Sequence, residues 1–88
     1  MATVAIGTAS FTTGGAETAA FTWADAITGN PVTFGSLPKI IGGPSQTVTS
    51  GGAGVPYFNG AGAITTAGGT VTMANPGTCS VVVVAIGS

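Results

Sequence analysis

Residues 81–86 read Val-Val-Val-Val-Ala-Ile, an apolar run with no polar residue at alternate positions. Consecutive β-branched side chains favour extended backbone over helix. A half-exposed strand alternates apolar and polar residues, so a run without alternation implies burial on both faces. At an open sheet edge the same run would invite aggregation. The pattern therefore predicts a central strand with one face in the domain core and the other against a second subunit. Val81, Val82, Val83, Val84 and Ile86 are the candidate assembly residues. The tetrapeptide Val-Ala-Ile-Gly occurs at 84–87 and again at 4–7, which suits neighbouring strands of one sheet.

The rest of the chain divides into strand-length pieces between turn signals. Residues 3–11 alternate small polar and apolar side chains, and Gly14-Gly15 follows. Residues 16–27 are alanine-rich, but Phe21 and Trp23 lie two apart, which puts both rings on one face of a strand over 17–24. Gly29-Asn30-Pro31 reads as a turn. Short strands are expected at 32–34, 39–41 and 46–49, with a break at 35–38. A loop follows at 50–54. Residues 55–58 contain Pro56, which suits an edge or a bulge. Further strands are expected at 63–66 and at 70–74, where Val71 and Met73 share a face, with Gly68-Gly69 as the turn between them. The last strand covers 78–86. Six to eight short strands and no significant helix make this an all-β chain, a small antiparallel β-sandwich forming a single domain over residues 1–88.

Charge narrows the function. Among 88 residues only Glu17, Asp25 and Lys39 are formally charged, and the chain has no histidine and no arginine. One cation cannot neutralise a run of phosphates, so no nucleic-acid partner is expected. General acid–base chemistry at neutral pH draws mainly on His, Lys and paired carboxylates, so no catalytic residues and no enzyme activity are expected. No cofactor or metal site is expected either, because the ligand types for one are not clustered. The single Cys79 has no partner for an internal disulfide and no basic neighbour to activate it, so it reads as a small buried hydrophobe. Glu17 and Asp25 read as solvated or interface charges, with Lys39 pairing one of them in the same or a neighbouring subunit. No run approaches the ~20 apolar residues of a bilayer span, so no membrane insertion is expected. The first residues lack the basic start of a signal peptide. A domain this small and this weakly charged is expected to gain stability by oligomerising.

Between residues 29 and 87 the chain carries Val32-Thr33-Phe34, Leu37-Pro38-Lys39-Ile40-Ile41, Ile64-Thr65-Thr66-Ala67-Gly68 with Thr70-Val71-Thr72, and Val83-Val84-Ala85-Ile86-Gly87. This series resembles a pattern found in phage tail-fibre and appendage proteins with an H-type-lectin-like sandwich. The resemblance implies a six-stranded antiparallel sandwich that forms a homotrimer and, in lectin members, binds sugar. Lectin members usually carry an aromatic residue in the final strand, and this chain has valines there. No sugar-binding residue carries over position by position.

The expected function is a non-enzymatic structural protein of a virus particle, a phage capsid decoration or cement protein or an appendage subunit. Its partners would be itself and other virion structural proteins, and its location the virion after synthesis in the host cytoplasm. An alternative is a lectin-like glycan-binding module, with Tyr57, Asn59 and Asn75 as possible ligand contacts beside glycine-rich loops. A further alternative is a self-assembling cell-surface or fibre subunit.

Overall fold

Alternation in the first eleven residues sets the first strand. The computed structural model describes residues 2–51 and 54–88. In β1 (Thr3–Phe11) every second residue from Ala5 to Phe11 is buried, and the residues between them are half-buried or exposed. β6 (Thr78–Gly87) runs antiparallel to it over its full length. The two Val-Ala-Ile-Gly copies meet there, with Val4 opposite Ile86, Ala5 opposite Ala85 and Ile6 opposite Val84. Between them lie β2 (Thr18–Thr22), β3 (Ala24–Asp25), β4 (Lys39–Ser50) and β5 (Gly68–Thr72). All pairings are antiparallel, in a four-stranded sheet ordered β3-β1-β6-β4 and a two-stranded sheet ordered β2-β5. The chain is all-β, and β6 is a central strand. Among the described residues a 3-10 turn spans Ala61–Ala63.

The two sheets enclose one core. Ala5, Ala9, Phe11, Cys79, Val81, Val83 and Ala85 come from the large sheet; Phe21, Trp23, Val71 and Met73 come from β2, β5 and the residues next to them, and Phe34 from the loop before β4. Trp23 is 1% exposed and sits where the chain leaves β2 for β3, crossing from one sheet to the other. Its ring meets Phe21 edge-on at 4.9 Å and Phe34 at 6.1 Å, a favourable arrangement of ring quadrupoles. The indole Nε1–H donates to the Thr65 carbonyl at 3.0 Å, so the largest core side chain buries no unpaired donor. Cys79 lies in the same core, its Sγ 3.9 Å from Met73 Sδ.

Several expected strands take a different form. The segment 17–24 is two strands split at Trp23, because its two ends serve different sheets. Residues 32–34 form no strand; the Phe34 N–H instead donates to the Thr66 carbonyl. The pieces at 39–41 and 46–49 are one strand, β4, which absorbs Gly42-Gly43-Pro44 through register shifts against β6. Gly43 sits at φ +86°, and a Cβ there would collide with the Val82 carbonyl oxygen, so glycine is required at this bulge. Residues 55–58 and 63–66 contribute only single bridges, Tyr57 to Thr72 and Ile64 to Gly69. Gly68 closes a tight turn over residues 65–68, its carbonyl accepting the Thr65 N–H at 2.8 Å, and with Gly69 it also begins β5. A Cβ on Gly68 would strike the Phe21 backbone, and one on Gly69 the Phe21 ring. Of the expected loop at 50–54, residues 52 and 53 lie outside the described residues.

The molecule is a plate measuring 41 × 26 × 17 Å. Its radius of gyration is 12.8 Å, against about 12 Å for a compact chain of this length, consistent with the flattening.

Candidate assembly interface

Directly opposed residues of an antiparallel pair share a face, so register alone maps the outer surface of the large sheet. Val4, Ile86 and Lys39 form one cross-strand row; Ile6, Val84 and Gly42 form the next. Thr8, Val82 and Ser45 follow, then Ser10, Ser80 and Thr47. The face is thus divided along its strands. One end carries Val4, Ile6, Val82, Val84 and Ile86, and the other carries hydroxyls. Val4 is 39% and Val82 37% exposed, and the other three aliphatic residues of the group are half-buried.

The five candidate assembly residues therefore separate by parity. Val81 and Val83 are fully buried in the core of the single chain. Val82, Val84 and Ile86 lie on the outer face, so burial on both sides of β6 is not complete within one subunit. Reasoning from residues 81–86 missed Val4 and Ile6 as members of this face. The signal for them was the repeated tetrapeptide, since antiparallel pairing of its two copies places Val4 beside Ile86 and Ile6 beside Val84.

The possible ligand contacts lie elsewhere. Tyr57 exchanges two 2.9 Å backbone hydrogen bonds with Thr72, which is itself opposite Thr18. Buried Pro56 and core-packed Phe58 flank it, and the Tyr57 side chain is on the outer face of the small sheet, 46% exposed. Asn59 is exposed two residues further on. Asn75 takes a left-handed conformation at φ 52°, and its N–H donates to Glu17 Oε2 at 3.3 Å. A shallow trough on the hydroxyl end of the large sheet is lined by Ser10, Thr12, Thr47, Thr49, Thr78 and Ser80, over the backbone of Phe11 and Cys79. A second depression lies between Thr22, Gly62, Thr65 and Thr70. Tyr57, Asn59 and Asn75 line neither.

The charged residues take separate structural places. Glu17 holds the Asn75 amide at one end of the plate. Asp25 is opposite Ala5 on β3, and Lys39 opens β4 at the other edge of the same sheet. Three strand spacings, about 14 Å, separate those edges, so the expected pairing of Lys39 with Asp25 is not made within one chain. Asp25 Oδ1 instead accepts the amides of Ile27 and Thr28 at 2.8 and 3.0 Å. The Thr28 amide, then the Ile27 amide, holds its carboxyl below the usual carboxylate value. Among the described residues no three His, Cys, Asp or Glu side chains gather where they could hold a metal ion.

Compared with protein-family models, with curated proteins and with solved structures, the chain finds no match. The lectin-like resemblance rests on the residues quoted for it.

Proposed function

We propose that the chain is a non-enzymatic structural subunit of a virus particle, a phage shell decoration or cement or an appendage subunit. It acts by self-assembly, as a homotrimer, and by contact with other virion structural proteins. The observation that carries this reading is the apolar end of the large sheet's outer face, five aliphatic side chains from two adjacent strands with Lys39 at the rim. The five side chains occupy two strands over about five residues each, roughly 10 × 17 Å or on the order of 170 Å² in projection. The apolar end is therefore the centre of a larger contact, and by itself falls short of the ~800 Å² per partner of a stable interface. The virus-particle setting is supported by the resemblance of residues 29–87 to phage appendage sandwiches and by the poverty of catalytic side chains. The test is quantitative mass spectrometry of purified particles. Hundreds of copies per particle make the chain a shell decoration or cement, and a few dozen make it an appendage subunit. Its absence from particles overturns the virion reading.

One observation favours a second reading, a glycan-binding module. Tyr57 presents an exposed ring in a row with the Thr72 and Thr18 side chains, an aromatic platform beside hydroxyls. A glycan array probed with the native oligomer tests it. Binding that Tyr57→Ala abolishes supports the module, and no binding at high protein concentration removes it.

A further inference from the structure

An asparagine is chemically unstable when the nitrogen of the next residue can reach its side-chain carbonyl carbon and close a five-membered imide. Three asparagines occur in the chain, Asn30, Asn59 and Asn75. Asn30 and Asn75 precede Pro31 and Pro76, whose ring nitrogens carry no proton to give up. Gln46, the one glutamine, would need a six-membered ring, and β-branched Thr47 crowds the nitrogen that follows it. Asn59 precedes Gly60, which has no side chain to hinder the approach.

The fold leaves this pair open. Asn59 and Gly60 are both exposed, in the loop between β4 and β5. Gly60 has φ +88° and ψ 175°, and a Cβ built on it would meet nothing within 4 Å. Among the described residues, neither the Asn59 side-chain amide nor the Gly60 N–H is hydrogen-bonded. The chain on either side is held. Tyr57 is bonded to Thr72, Phe58 packs against the core, and the Gly60 carbonyl accepts the Ala63 N–H at 3.3 Å. A change at residue 59 therefore falls between two anchored points.

We propose that Asn59 is a site of spontaneous modification, converting to aspartate and isoaspartate through a cyclic imide with Gly60. The Gly60 nitrogen attacks Asn59 Cγ. The N–Cγ bond forms, the Cγ–Nδ2 bond breaks, and ammonia leaves with the former Gly60 amide proton. Water then opens the ring. Cleavage of N–Cγ gives aspartate. Cleavage between the nitrogen and the Asn59 backbone carbonyl carbon gives isoaspartate, whose main chain runs through Cγ. One ammonia leaves and one water enters, with no oxidant or reductant. Either product adds one carboxylate and takes the formal net charge from −1 to −2. Isoaspartate also lengthens the main chain by one carbon between the Tyr57 bridge and the 3-10 turn at Ala61–Ala63. The inference does not rest on either function proposed above.

The test incubates the full chain in neutral buffer beside a free Tyr-Phe-Asn-Gly-Ala-Gly peptide, and follows each asparagine by peptide mapping. Residue 59 is expected to gain about 1 Da, as replacement of NH2 by OH requires, while Asn30 and Asn75 keep their amides. The rate in the folded chain should lie within about threefold of the rate in the peptide, because an exposed loop tip of small residues imposes little restraint. Isoaspartate, located by electron-transfer fragmentation, should accompany aspartate. Asn59→Gln should melt as wild type does and should not form the acidic species on ion exchange. An Asn59 that keeps its amide while the peptide converts overturns the proposal, as does equal conversion at Asn30 or Asn75. Aspartate without isoaspartate overturns the route through Gly60. An acidic species that forms as fast in Asn59→Gln places the change elsewhere and overturns it too.

Discussion

Asp25 holds the turn after β3 with a single carboxylate oxygen that accepts two amides. Both bonds favour the ionised form, so the folded-state carboxyl titrates below its unfolded value of 3.8. A depressed folded pKa contributes stability above the unfolded value, and that contribution is lost as pH falls through the folded value. The difference in urea midpoint between wild type and Asp25→Ala should therefore be largest near neutrality and shrink below pH 3.8. A difference that does not change with pH would mean the two amides do not discriminate between the charged and neutral carboxyl. Trp23 makes a different residue-scale contribution. Trp23→Phe deletes the donor to the Thr65 carbonyl and leaves a void between Phe21 and Phe34. A loss of about 2–4 kcal/mol in chemical denaturation is expected from an unpaired carbonyl plus a core cavity.

Neighbouring positions on β6 separate folding from assembly at the scale of an element. Val83→Asp places a carboxylate at a site with no exposure, and several kcal/mol of desolvation should prevent folding. Val82→Asp places the same group on the outer face, 37% exposed. It should fold with a near-native circular dichroism spectrum yet shift the oligomer toward monomer in size-exclusion chromatography with light scattering. Equal losses of folding in both variants would show that the outer face belongs to the core of the single chain. β1 and β6 were legible in the sequence because alternation and the valine run report burial directly. β4 was not, because Gly42-Gly43-Pro44 carries the residue types of a turn while the fold uses them as a bulge. Gly68-Gly69 is legible only in part: Gly68 closes the turn over 65–68, but the pair also begins β5 and admits the Phe21 ring and backbone. The outer face was legible only in part. The run at 81–86 marks the strand, but parity is fixed only by knowing which of its neighbours face the core.

For the whole molecule, a chain of 88 residues folds into two sheets of unequal width. The narrow sheet covers β1 and β6 but leaves the inner face of β4 exposed at Val48, and no sequence pattern announces such a shortfall. The distribution of the three formal charges has a further consequence. Glu17 lies at one end of the plate, and Asp25 and Lys39 lie on opposite edges near the other. Apart from Lys39 at its corner, the outer face of the large sheet carries no ionic group, so counter-ions have little to screen when two such faces meet. Association measured by light scattering should hardly change between low and high sodium chloride. It should strengthen in ammonium sulfate, where the excluded salt favours apolar contact. An assembly with these properties would respond to the cohesion of water and would be nearly indifferent to its ionic content.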